Sequence, residues 1–78
     1  MITVLKAAGL RVAIFSNDHE PAHVHVFGDG DAKINLTGDK GPHFVWINRM
    51  NRGEARRAME LVTTNREHLL ARWREIHG

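Results

Sequence analysis

The densest chemistry in the chain lies in one run, Ser16-Asn17-Asp18-His19-Glu20-Pro21-Ala22-His23-Val24-His25-Val26, which holds three of the six histidines. On a β-strand, His23 and His25 are two residues apart and project from the same face. The loop before them can fold His19, Asp18 or Glu20 back toward the pair. Three readings fit this spacing. In the first, the histidines are solvent-facing or cross-strand residues of a half-exposed sheet, and Pro21 sets the entry to the strand. In the second, His23 and His25 join His19 or a carboxylate in a three-ligand site for a divalent metal such as zinc, nickel or iron, for which imidazole is a common ligand. In the third, no metal is needed: two imidazoles act as the acid and base of a ribonuclease. One deprotonates a ribose 2′-hydroxyl, the other protonates the leaving oxygen, and Lys33 or Arg11 stabilises the charge on phosphorus. The spacing alone leaves all three open.

A second set of candidates is basic. Residues 1–48 carry four basic and five acidic side chains, whereas 49–78 carry seven and four, and all seven of those bases are arginines. Arg52 and Arg56 are i, i+4 on a helix, where they can bind phosphates or an acidic partner. The plainer account is a solvated face paired with Glu54 and Glu60. His43, His68 and His77 carry less signal, although a cationic His77 near a helix C-terminus would interact favourably with the helix dipole. Trp46 and Trp73 read as core or interface residues. The run Gly28-Asp29-Gly30-Asp31-Ala32-Lys33 is no phosphate loop, because no helix follows it.

The elements that must position these residues change character near Arg52. Up to Ile47, short alternating apolar runs are bounded by Gly, Asp, Asn and Pro. They predict strands over Ile2–Leu5, Leu10–Phe15, Ala22–Phe27, Asp31–Thr37 and His43–Ile47. Gly28-Asp29-Gly30 is expected to supply the positive φ of a tight hairpin. Leu10, Val12, Ile14, Ala22, Val24, Val26, Ala32, Ile34 and Leu36 share the core parity. Arg11, Phe15, His23, His25, Phe27, Lys33 and Asn35 fall on the opposite, open face. From Arg52 onward Ala55, Met59, Val62, Arg66, Leu69, Trp73 and Ile76 recur at helical spacing. Asn51 with Glu54 resembles a capping box. Thr63, Thr64 and Asn65 are poor helix formers and mark a place where the helix could split, but the unbroken register favours one long helix. Such a helix is nearly 40 Å long at ~1.5 Å per residue, so one end is expected to project or to meet a partner. The expected architecture is an α+β fold, a small antiparallel sheet of four to five strands packed on one face by this helix.

Composition bounds the rest. A chain of 78 residues forms one small domain with a thin core, which a partner or a second copy would complete. With 42% apolar and 26% charged residues it is not a disordered polymer. No apolar run reaches the ~18–20 residues of a membrane span. The first ten residues do not read as a signal peptide, and the chain has no cysteine, so the expected compartment is the cytoplasm.

The run from Phe15 to Val26, the Gly-Asp hairpin with Ala32-Lys33, and the pattern Arg-Arg-x-x-Glu-Leu-Val-x-x-Asn-x-x-x-Leu-Leu-x-x-Trp from Arg56 to Trp73 resemble a family of small bacterial proteins, domain of unknown function 4160. Family members commonly carry a second proline where this chain has Ala22, and a Ser or Pro at the helix start where it has Asn51-Arg52-Gly53. Neither departure removes a histidine. The resemblance implies a member of a toxin-antitoxin-like two-gene module that works with a small protein encoded by a neighbouring gene through protein-protein contacts, with RNA as a further contact. It carries over His19, Pro21, His23 and His25, with Asn17 and Lys33 as accessories.

Overall fold

The computed structural model describes residues 1–78. Five strands, β1 (Ile2–Ala7), β2 (Leu10–Ile14), β3 (His23–Phe27), β4 (Asp31–Asn35) and β5 (His43–Asn48), form one antiparallel meander in that spatial order. Two helices follow, α1 (Arg52–Thr64) and α2 (Arg66–His77). The fold is α+β, as the alternation predicts. Ala8 and Gly9, both at positive φ (54° and 74°), make the two-residue turn between β1 and β2. Val12, Ile14, Val24, Val26, Ile34 and Leu36 are fully buried, and Ala58, Val62, Leu69, Leu70 and Trp73 of the helices complete the same apolar cluster.

Three expectations are corrected. The single long helix is broken at Asn65, whose Nδ2 donates to the Leu61 carbonyl at 2.8 Å and so competes with the helical ladder. Arg66 Nε then donates to the carbonyl of Leu36 at 2.7 Å, pinning the start of α2 to the segment after β4. The break also removes the projecting end. An unbroken helix of ~39 Å would outrun the longest dimension of the molecule, 34 Å.

The second correction concerns Gly28 and Gly30. They turn the β3–β4 hairpin but are not among the positive-φ residues. Their role is close approach. A Cβ at Gly28 would lie 2.7 Å from the Glu54 carboxylate, and one at Gly30 would collide with the backbone of Asn48 and Arg49. The third correction is that His23 is not on an open face; it is 3% exposed.

Glu54 explains the glycines. The cap is formed in part, since Asn51 Oδ1 accepts from the Glu54 amide at 2.8 Å. The Glu54 carboxylate, however, turns away from Asn51. It accepts the amides of Asp29 (2.9 Å) and Gly30 (3.1 Å) at the hairpin while being 4% exposed. Those two amides, with Arg57 beside them, hold the carboxyl below the usual glutamate range despite burial. A depressed folded-state pKa means that the unfolded chain binds the proton more readily. The stabilisation is therefore present above about pH 4.3, the ordinary glutamate value, and is lost as pH falls through the folded value. Glu54→Gln is expected to lower the urea midpoint at pH 7 and to flatten its fall between pH 5 and pH 3. An unchanged acid profile in this variant would contradict the assignment.

Candidate metal centre

The site is assembled by β3, the loop before it and the end of α2. Asp18 is turned inward by a tight turn in which its amide donates to the Phe15 carbonyl at 3.1 Å. Strand parity presents His23 and His25 side by side, with ring centroids 5.4 Å apart. Asp18 Oδ2 lies 3.0 Å from His23 Nε2 and 3.6 Å from His25 Nε2. One ligand atom from each of the three residues fits within a span of 4.8 Å.

Trp73 closes the site from the helix side. Its ring centroid is 5.0 Å from that of His23, and its indole N–H donates to Glu20 Oε1 at 3.2 Å. His77 stacks on Trp73 at 3.7 Å, with its ring nitrogens 2.9 Å and 3.2 Å from the carbonyl oxygens of Trp73 and Phe15. The loop and the end of α2 are thereby tied together over the buried His23.

The hydrogen-bond pattern of His23 is specific. Its Nδ1 lies 2.8 Å from the carbonyl of Pro21, an acceptor only, so Nδ1 carries the proton. In the neutral ring the lone pair is then on Nε2, where it faces the Asp18 carboxylate. The 3.0 Å approach has the length of an ion pair but not the angles of a hydrogen bond, and neither Nε2 of His23 nor Oδ2 of Asp18 has a hydrogen-bond partner. The one other buried side-chain atom without a partner is Oδ1 of Asn35, the residue directly across from His23 on β4. Its Nδ2 donates to His43 Nε2 at 3.3 Å, and His43 Nδ1 faces the Gly41 carbonyl, which fixes the amide with its oxygen outward from that contact. Three buried side-chain atoms without a hydrogen-bond partner thus belong to the loop before β3 and to the paired residues of β3 and β4.

His25 is more accessible. Phe15 meets its ring edge-on at 4.7 Å, Phe27 stacks at 6.5 Å and Trp46 lies at 6.0 Å. Burial pushes its imidazole below the usual histidine range; Asp18 opposes this, His23 and Lys33 add to it, and Asp31 opposes it again. Its neutral form, the one that offers a lone pair, is favoured accordingly.

The other candidates are dispersed. His19 is exposed and lies outside the cluster, and Asp18 stands where the sequence reading put His19. Asn17 is exposed. Lys33 is the cross-strand partner of His25 and shares its face, while Arg11 lies 4.9 Å over the Phe27 ring. Arg52 and Arg56 line a groove beside Phe44 on α1, away from the histidines. Trp46, expected in the core or an interface, is 39% exposed. Sequence reasoning did not select Asn35, nor Trp73 as the lid over His23. The only available signal was Asn35's place on the open-face parity.

The chain is thus a small α+β protein with an Asp-His-His cluster at the start of its third strand. Residues 9–74 match the family described as Domain of unknown function (DUF4160), and the chain belongs to it. No curated protein and no solved structure matches the chain. No helix is long and apolar enough to cross a membrane.

In long-range ¹⁵N–¹H spectra, metal-free His23 is expected to carry a proton on Nδ1. A proton on Nε2 alone would overturn the geometry above. Trp73→Ala is expected to cost about 3–5 kcal/mol in urea unfolding, the usual range for a large buried aromatic, and to expose His23.

Proposed function

We propose that the protein is a divalent-metal-binding module in which Asp18 Oδ2, His23 Nε2 and His25 Nε2 are the ligands. The observation that carries this reading is the approach of His23 Nε2 and Asp18 Oδ2, neither of them hydrogen-bonded, to 3.0 Å beside a buried His23. When Nε2 is unprotonated the two lone pairs repel at that distance, and a metal ion between them converts the repulsion into two bonds. Ligand atoms ~2.0–2.2 Å from a metal lie about 3–3.5 Å from each other, close to the separations around Asp18. The Nδ1–H bond of His23 to a backbone carbonyl is the outer contact that fixes a ligating imidazole in its tautomer. Two histidines and a carboxylate suit zinc, nickel or ferrous iron and leave coordination positions open. An open position lets a bound water be polarised. The metal-free ribonuclease reading fits less well, because an acid/base pair needs both imidazoles at the scissile phosphate and His23 is sealed beneath Trp73.

A second reading is the two-gene, toxin-antitoxin-like role implied by the family resemblance, with a small protein partner or a second copy and with RNA as a further contact. The observation that favours a partner is the uncovered strand β5, where Val45, Trp46 and Ile47 are exposed.

Calorimetry on metal-free protein is expected to give one-site binding of zinc or nickel at micromolar affinity. Asp18→Asn and His23→Ala should each weaken it at least tenfold while the circular dichroism spectrum is unchanged. At a hundredfold excess over Kd the metal should stabilise the fold by about 2.7 kcal/mol. Wild-type protein that binds neither ion, nor ferrous iron under anaerobic conditions, would dispose of the metal reading.

A further inference from the structure

We propose that β5 and the groove beside it form the docking site for an acidic, extended segment of a partner protein, which adds a sixth strand to the sheet. This rests on the reading that the chain works with a partner, and it is independent of the metal cluster.

Strand β5 is one of the two edges of the sheet, so one side of its backbone is unpaired. Its sequence, His-Phe-Val-Trp-Ile-Asn, has no lysine, acid or proline to discourage pairing, whereas the other edge, β1, carries Lys6. Val45, Trp46 and Ile47 are 47%, 39% and 46% exposed, and the only other exposed large apolar side chain in the protein is the terminal Met1. An uncharged apolar edge of this length is a template for strand addition.

The charge around it selects the occupant. Between β5 and α1 runs an open groove of about 740 Å³ lined by Phe44, Ala55, Met59, Arg52, Arg56 and Glu60, whose two guanidinium groups outnumber its one carboxylate. The acids that the sequence reading paired with these arginines do not neutralise them. Glu54 is buried at the hairpin, with Arg57 as its nearest cation at 4.0 Å, and Glu60 makes no ion pair. Arg52 and Arg56 are exposed and form no salt bridge, and Arg49 lies exposed just past the end of β5. An apolar strand edge flanked by free guanidinium groups complements a segment that alternates apolar side chains with Asp or Glu: by strand parity the carboxylates fall on the helix side, toward Arg52 and Arg56, and the apolar side chains on the opposite side, beside Trp46. A second copy fits worse. A two-fold contact through β5 places the same patch on both sides, so the arginine rims approach each other.

The test uses the full-length protein in chelator, so that the metal site plays no part, and two synthetic octapeptides that alternate Val with Glu or Val with Lys. The glutamate peptide is expected to bind with amide shifts concentrated on residues 43–48 and on Arg52 and Arg56. The double variant Arg52→Glu/Arg56→Glu, checked for an unchanged circular dichroism spectrum, should lose at least tenfold in affinity for it and gain affinity for the lysine peptide. Equal binding of both peptides by the wild type, or shifts confined to the histidine face, would overturn the proposal. So would a wild-type dimer through β5 in sedimentation, or binding of oligouridine but not of the peptide at these residues. Binding of the neighbouring gene's product without perturbing β5 would overturn this surface and leave the partner reading standing. Failure of that product to bind at all, with the glutamate peptide behaving as expected, would remove that partner and keep the surface.

Discussion

One buried carboxylate decides where the helices lie. Glu54 belongs to the first turn of α1, but its oxygens accept backbone amides of the β3–β4 turn, so the start of α1 is bound to the tip of that hairpin. Glycine at positions 28 and 30 is what lets the helix and the strand ends come this close. The other end of the pair is set at Arg66, whose guanidinium takes the carbonyl of Leu36 just beyond β4. With the helical layer tied to β3 and β4 at both points, its cover falls on the middle of the sheet. Two consequences follow. Strand β5 keeps Val45, Trp46 and Ile47 exposed although α1 lies beside it, and α2 is directed so that Trp73 and His77 reach the loop around residues 15–20 and close over His23. The exposed edge and the closed cluster are both outcomes of the same anchoring.

The cluster itself is a place where the fold does not minimise its own energy. A buried polar atom left without a partner costs about 1–3 kcal/mol. In a protein this small, whose core is a single apolar cluster, three buried atoms without a hydrogen bond, two of them facing each other at 3.0 Å, are a concession. Replacing His23 by an apolar residue would remove one of the three, and β3 would lose nothing in strand propensity, since valine suits a strand better than histidine. The surroundings instead hold the polar groups in place: the Pro21 carbonyl orients His23, a turn aims Asp18, and His43 orients the Asn35 amide. Such supporting contacts are expected where a ligand satisfies the acceptors.

How much of this was legible in the sequence depended on the distance between cause and effect. Strand parity is a local property, and every aliphatic residue assigned to the core face from Leu10 to Leu36 is buried. The pairing of His23 with His25 on one face is local too. The helix break was visible in Thr63-Thr64-Asn65 but was masked by an unbroken stripe. Asn65, at φ −107° and ψ 18°, departs from helical geometry by a single residue, which leaves the two halves of the stripe nearly in register. Asp18 was one of three loop residues that could fold back, and nothing in the composition separates it from His19; the turn bond to Phe15 does. Burial of His23 and the role of Glu54 were out of reach. The first depends on α2 contacting a loop 53 residues earlier, and the second on a helix start meeting a turn 24 and 25 residues before it.

The alternation of strand β5 makes it a boundary between the two sites. A register shift between Lys33 and Ile34 sets Trp46 against Lys33 and Phe44 against Ile34. Ile34 is core, so Phe44 turns to the helix side and lines the groove; Lys33 shares the face of His25, so Trp46 turns to the cluster, 6.0 Å from the His25 ring. An ordinary pairing would have left Val45 as one more member of this alternation. The bulge instead inserts it as an extra residue, and both flanking aromatics keep their faces. The same six residues therefore present one aromatic ring to each side while their free backbone edge faces outward. A chain too short to build separate supports for two surfaces places both on one strand.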